Sequence, residues 1–349
     1  MSHCHETHVL SPTRDTYAID MTHVVHTMTW MPTTSNWTLF WSRRIVHHLP
    51  YTSCAHPLVN HIPYLTITSK RHLESVSRYM IKVCNLPQCR AFTHDTMEIR
   101  SHPTEWIQKS ISHRHVTLYN GRRTRDVVFQ KRVHAMYVPG TRRIFDLGVY
   151  VLVRSVHPLR YSVYNQWLVR LCTHDDSSNT SRLRNEPNRF VVGASYDTLL
   201  QFPHLSSVLS FCNSSADCAL RLMLQKQVNV SRIDRDMHDV IRCTLEYDGR
   251  HNYGRHNYGR HNYGRHNYGR HNYGRHNYGR RYSYFELLRY DFLLNRSDAY
   301  PHLMEINMSP SLHPYFFPND GHLKRTVVRD VVRILKHQAV EHWTDSSGK

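Results

Sequence analysis

Between His251 and Arg280 the chain repeats His-Asn-Tyr-Gly-Arg six times without a substitution. A period of five matches neither the 3.6-residue helical turn nor the two-residue alternation of a strand, and a glycine in every unit weakens both. The tract therefore reads as a flexible loop, and the folded core has to come from the residues on either side of it. It also takes six of the thirteen glycines, which leaves seven for the rest of the 349-residue chain. That scarcity excludes a Walker P-loop and a Gly-x-Gly-x-x-Gly fingerprint, where backbone must approach phosphate closely. No Gly-x-Ser-x-Gly elbow and no His-Glu-x-x-His pair is present. Any nucleotide would have to be held by side chains and metal.

Lys and Arg number 45 against 27 Asp and Glu, a formal charge of +18, and removing the tract's six arginines leaves +12. This balance predicts an acidic partner: nucleic acid, an anionic membrane surface or a carboxylate-rich polypeptide. The tract's alternation of arginine with tyrosine fits a tail for single-stranded nucleic acid or a repeat expansion in a permissive loop, and nucleic acid is set behind the other partners. With 40% apolar residues a chain of this length can bury a core. The eight cysteines form no Cys-x-x-Cys pair, so a zinc ribbon or disulfide framework is not expected and the thiols read as reduced. Residues 1–20 lack an apolar signal segment and no stretch is long enough to span a membrane. These features predict a soluble, cytoplasmic protein, and the six Asn-x-Ser/Thr sequons, triplets common by chance, carry no weight against them. The His3, Cys4, His5 and His8 group reads as part of an unstructured tail in preference to a metal site.

Hydrophobic periodicity predicts a strand at Trp37–Trp41, a helix over Ser69–Val83, strands at Val127–Phe129 and Val149–Val153 around a Pro139-Gly140 turn, and further strands through Tyr161–Leu171. Asp175–Arg189 reads as a loop, Ala216–Tyr247 as helical, and Leu323–His337 as an amphipathic helix with a basic face. That basic face suits either solvent or an acidic polypeptide. The domains drawn from this pass are a tail (1–20), an α/β domain (21–75), a central lobe (76–140) and a C-terminal lobe (141–340) that holds the repeat insertion.

The sharpest chemical signal lies in two segments, Tyr284–Leu294 and Leu303–Ser311. If the second is a strand, Glu305 and Asn307 share one face while Met304, Ile306 and Met308 occupy the other. A carboxylate and an amide oxygen so placed can grip one hard cation. Asp291, on a second strand paired across the sheet, would complete an oxygen site of the kind magnesium prefers.

Several motifs stand in order around these segments. They are Trp37-Thr38-Leu39-Phe40-Trp41-Ser42, Val59-Asn60-His61-Ile62-Pro63, Trp106-Ile107-Gln108-Lys109, the run Phe145-Asp146-Leu147-Gly148 through Arg170, Phe285-Glu286-Leu287-Leu288 to Asp291, and Met304-Glu305-Ile306-Asn307-Met308-Ser309-Pro310-Ser311. Together they resemble the tubulin–tyrosine ligase-like family over Trp37–Ser311. The resemblance implies an α+β ATP-grasp fold, two lobes closing on ATP beside a small N-terminal domain. It implies an ATP- and magnesium-dependent protein–amino-acid ligase working through an acyl phosphate, with a polyglutamylase that adds free glutamate to the acidic tails of tubulin as the preferred reading. Such a protein would be cytoplasmic, on microtubules or cilia. By the same resemblance Asp291, Glu305 and Asn307 bind magnesium, and Lys109, Gln130, Lys131, Arg132, Val133 and Asp146 bind ATP. Glu305 and Arg170 are the catalytic pair, with Arg170 orienting an incoming carboxylate.

The chain also departs from the family pattern. Ile144 stands where lysine is usual and Gly148 where arginine is common, Ser110–His115 lacks a loop glycine, and Trp167 and Arg289 replace glycines. Each uncompensated loss of a cation costs about 2–4 kcal/mol of transition-state stabilisation. Arg114, Arg142 and Arg143 are the cations considered as replacements. A catalytically degenerate member that binds microtubules or another polyanion is therefore the alternative.

Overall fold

A computed structural model of the chain describes residues 7–10, 31–32, 38–42, 57–63, 65–86, 92–93, 99, 102–111, 116–121, 126–177, 179–193, 196–253, 283–312 and 320–346. Trp37, Arg114 and nearly all of the repeat tract lie outside them. In chain order the strands are β1 (Thr7–Leu10), β2 (Met31–Pro32), β3 (Leu39–Trp41), β4 (Leu58–Asn60), β5 (Phe92–Thr93), β6 (Trp106–Ser110), β7 (Val116–Leu118), β8 (Val127–Lys131), β9 (Phe145–Val156), β10 (Leu159–Tyr164), β11 (Leu168–Leu171), β12 (Ser283–Leu294), β13 (Pro301–Met308) and β14 (Trp343–Asp345). The α-helices are α1 (Leu73–Lys82), α2 (Thr180–Asn185), α3 (Ser206–Phe211), α4 (Ala216–Leu224), α5 (Val230–Asp248) and α6 (Gly321–Leu335). The class is α+β, as the sequence predicts.

Ten strands form one sheet around β9 and β12, which pair antiparallel over seven residues from Glu286↔Val153 to Phe292↔Leu147. Both strands are apolar on both faces over most of their length, the pattern of strands covered on two sides. Leu147, Val149, Val151 and Val153 with Leu288, Tyr290 and Phe292 pack under α1, α4 and α5. On the opposite face Tyr150, Leu152, Phe285 and Leu287 pack against Val327, Val328, Val331 and Val332 of α6. Further along that second face the apolar residues give way to Asp146, Gly148, Arg289 and Asp291, so the site stands where the cover of α6 ends.

A second, four-stranded sheet runs β5-β8-β6-β7. Its register pairs Lys109 with Val128 and Ile107 with Gln130. Alternation sends Trp106 and Phe129 into a small cluster with Ile99 and Tyr119, while Ile107 packs on the side of Leu293 and Met304 from the large sheet. The faces of the two sheets that carry Lys109 and Glu305 are thereby brought together.

The structure alters several expectations. Thr7–Leu10, inside the stretch read as a tail, is a strand pairing parallel with β3. The 175–189 region contains α2, started by Asn179, whose side chain accepts from Ser181 N and Arg182 N. The single helical pattern over 216–247 is two helices, because Asn229 caps a fresh N-terminus through Arg232 N. Four thiols expected to be reduced are paired, Cys84 with Cys243 and Cys212 with Cys218, while Cys172 is buried and unpaired. Among the described residues no helix is long and apolar enough to cross a membrane.

Candidate active site between the two sheets

Antiparallel pairing of β12 and β13 puts Asp291 directly opposite Glu305, and Arg289 opposite Asn307. A bulge between Asp291 and Phe292 leaves Met304 as the extra residue, a local re-aiming of side chains that bulges commonly provide. Asn307 Nδ2 then donates to Asp291 Oδ2 at 2.9 Å and to Glu305 Oε1 at 3.2 Å. The three side chains proposed from the sequence to share a centre do meet.

Neighbouring cations dominate their electrostatics. Arg170, from β11 beside β9, forks onto Asp146 (Nε–Oδ1 2.9 Å, Nη2–Oδ2 2.6 Å) and also reaches Asp291 Oδ2 at 2.9 Å. Arg289 forks onto Asp291 at 2.6 and 2.9 Å. Burial raises the pKa of Asp291, but the two guanidinium groups outweigh it and hold the carboxyl at about 2. Burial pushes Asp146 the other way, to about 7, against the pull of Arg170 and helped by the charge of Asp291. From the facing sheet, buried Lys109 is coupled to Glu305, Asp291 and Asp146, and burial lowers its pKa. Lys70, which donates to Ser110 O at 3.4 Å, is lowered by burial too and also feels Glu305.

Of the remaining expected nucleotide residues, Gln130 is fully buried, donates to Met304 Sδ at 3.4 Å, and among the described residues keeps an Oε1 acceptor without a partner. Val133 packs at the edge of the Ile107–Leu293 cluster. Lys131 and Arg132 are engaged elsewhere, Lys131 with Glu105 at 3.6 Å and Arg132 with Asp176 at 3.3 Å. Arg143 does not replace the missing cation, because its guanidinium is held by Asp175 and Asp197 at 2.8 Å each. Arg142 is exposed and Ile144 is buried in the apolar cluster. Two site cations escaped the sequence reading. Lys70 carries no local signal, and Arg289 stands out in the sequence only as the residue in place of a glycine.

The upstream motifs are explained by contacts with one another. Asn60 Oδ1 accepts from Ser42 N at 2.7 Å and Asn60 Nδ2 donates to Ser42 O at 2.6 Å. His61 Nδ1 lies 2.8 Å from Glu286 Oε1, and Ile62 N donates to Glu286 Oε2 at 3.2 Å. These bonds stitch β4 to β3 and β12, so the motifs hold the strand that bears Asp291.

A model of the tubulin-tyrosine ligase family matches residues 95–343, which contain Lys109, Gln130, Asp146, Arg170, Arg289, Asp291, Glu305 and Asn307 but not Lys70. The chain belongs to the tubulin-tyrosine ligase family. It is 23% identical over 283 residues to the probable tubulin polyglutamylase ttll-15 of Caenorhabditis elegans, covering 78% of this chain and 48% of that protein. It is 30% identical over 190 residues to the human tubulin polyglutamylase TTLL6 and 31% over 192 residues to its mouse counterpart, covering 52% of this chain and 18% and 20% of those proteins. The chain thus spans about half or less of the length of these relatives.

For this family member, the leftover acceptor of Gln130 beside an apolar wall suits an amine-bearing base, so the residues present fit a nucleotide. Magnesium fits less well. A carboxylate offers about four lone-pair directions, and Asp291 meets four donors, two from Arg289, one from Arg170 and one from Asn307. Three of these reach Oδ2 and one reaches Oδ1, so Oδ1 keeps an open direction, but the two guanidinium groups already neutralise the carboxylate and a metal ion there would stand beside like charge.

Proposed function

We propose that this family member is an ATP-dependent ligase of ATP-grasp architecture, its two lobes built around the two sheets, that joins an amino acid to the acidic tail of tubulin, with glutamate as the amino acid added. The observation that carries the reading is the meeting of Asp291, Glu305 and Asn307 on the large sheet with Lys109 from the facing one. The polyglutamylase names of the relatives support the choice of tubulin and glutamate. A carboxylate of the tail attacks the γ-phosphoryl group, releasing ADP and leaving an acyl phosphate, and the amine of free glutamate then displaces phosphate. Lys109 and Lys70 offset phosphate charge in a site where burial strengthens every Coulomb interaction. Gln130 and Val133 line the base, and Arg170 is placed to hold an incoming carboxylate if Asp146 releases it. Glu305, the most exposed of the three carboxylates, is the acid whose charge acts most strongly on Lys109. The microtubule is the place of action this reading carries with it.

Purified chain incubated with ATP, labelled glutamate and microtubules is expected to incorporate label, and Glu305→Gln is expected to lower the rate at least about 100-fold. Equal incorporation by the variant removes Glu305 from the chemistry. The neutralisation of Asp291 by Arg170 and Arg289 favours a second reading, a degenerate member that binds microtubules or another polyanion without ligation. Microtubule binding with no incorporation by the wild-type chain would select it.

A further inference from the structure

Gly148 and Arg289 break the family pattern in opposite senses, one a missing arginine and the other a missing glycine, and the structure makes them neighbours. Gly148 lies opposite Asp291 and Tyr150 opposite Arg289, so residues 148 and 289 are diagonal across the β9–β12 pair. A Cβ placed on Gly148 would stand 3.0 Å from Arg289 Cδ and 3.2 Å from Leu168 Cβ. The stem of Arg289 fills the space that a side chain at 148 would need. A guanidinium is thus retained, but moved onto the strand of Asp291, two residues before it, where it forks onto that carboxylate.

We infer that Arg289 occupies the place of a divalent ion at Asp291, and that the site takes the polyphosphate of a nucleotide directly on guanidinium and ammonium groups. This rests on the nucleotide reading above. Among the described residues, and without any metal, Lys70, Lys109, Arg170 and Arg289 already outnumber Asp146, Asp291 and Glu305 by one charge, so this cluster favours an anion over a further dication. Guanidinium keeps its proton at any working pH and matches both carboxylate and phosphate oxygens. Two of Arg289's five N–H donors go to Asp291, which leaves donors for phosphate oxygens.

The test uses the whole chain and two probes. Manganese(II) alone, followed by water proton relaxation, is expected to show no saturable binding to the wild-type chain up to about 1 mM, and ATP binding by calorimetry is expected to be equal within about twofold in magnesium and in EDTA. Arg289→Gly, and the exchanged pair Gly148→Arg with Arg289→Gly, which keeps the volume filled, are expected to bind manganese(II) and to gain at least about tenfold in ATP affinity when magnesium is present. Manganese(II) binding by the wild-type chain that Asp291→Asn removes, or a tenfold magnesium effect on its ATP affinity, overturns the inference without needing any Arg289 variant. Absence of ATP binding in both buffers with no manganese(II) bound ends the nucleotide reading and leaves Arg289 in the metal's place.

Discussion

At Asp291 the position of a residue is legible in the sequence while the cations that surround it are not. Alternation and apolar flanks placed it beside Glu305 and Asn307, and the register bears that out. What it binds depends on Arg289 and Arg170, which reach it from its own strand and from β11. No spacing rule reveals that, because the register of β9 against β12 has to be known first. The pKa consequence can be checked. A carboxyl held at about 2 in the fold, against an ordinary value near 3.8, adds stability above about pH 4 and loses it as the pH falls toward 2, an effect of about 2 kcal/mol. Asp146, raised to about 7, works in the opposite direction: burial of its charge takes stability away as the pH rises from about 4 toward 7, and it adds nothing below that window. The acid limb therefore belongs to Asp291. In urea unfolding, the stability gap between the wild-type chain and Asp291→Asn is expected to narrow by about 2 kcal/mol between about pH 5 and 2, and a constant gap would show that the arginines do not hold the carboxylate as described.

Elements were legible where periodicity and burial agree. The long strands β9 and β12 and the helix α6 follow from apolar runs and a 3.6-residue stripe, although Lys324, one of that helix's cations, is buried against Tyr196 and Asp320 instead of facing out. Helix starts at Asn179 and Asn229 were missed, because asparagine in a polar stretch signals a cap and a loop equally. The disulfides were invisible for a different reason: Cys84 and Cys243 are 159 residues apart, and only the packing of α1 against α5 brings them together. That long loop should make the pair matter more than Cys212–Cys218, six residues apart. In the chain-entropy picture the long closure is worth about 5 kcal/mol and the short one about 2. Cys84→Ser is thus expected to lower the unfolding free energy by roughly 3 kcal/mol more than Cys212→Ser, with both differences vanishing in strong reductant. Peptide mapping without reduction, on protein taken from its own cells, carries a second consequence. Intact pairs would place the chain outside the reducing cytosol, and free thiols would support the cytoplasmic expectation.

At the scale of the whole molecule, excess positive charge and a cation-rich site point to the same class of partner. A carboxylate-rich tail approaching the chain meets a field set by +18, of which +12 is independent of the repeat arginines. Such steering weakens as ions screen it, and the screening length falls from about 14 Å at 0.05 M salt to about 7 Å at 0.2 M. Microtubule affinity is accordingly expected to drop at least about tenfold across that range, and microtubules stripped of their acidic tails by protease are expected to bind weakly at both salt concentrations. The repeat tract offers a control. His251 stacks on Tyr247 at the end of α5, 4.2 Å between ring centroids, so removing residues 256–280 leaves that contact in place while deleting five repeat units. If the basic body carries the attraction, this deletion changes neither the melting temperature nor the salt slope by more than the loss of five arginine charges explains. A deletion that abolishes microtubule binding while the fold melts as before would instead make the tract the contact, and the charge of the body would then have no part in recruiting the partner.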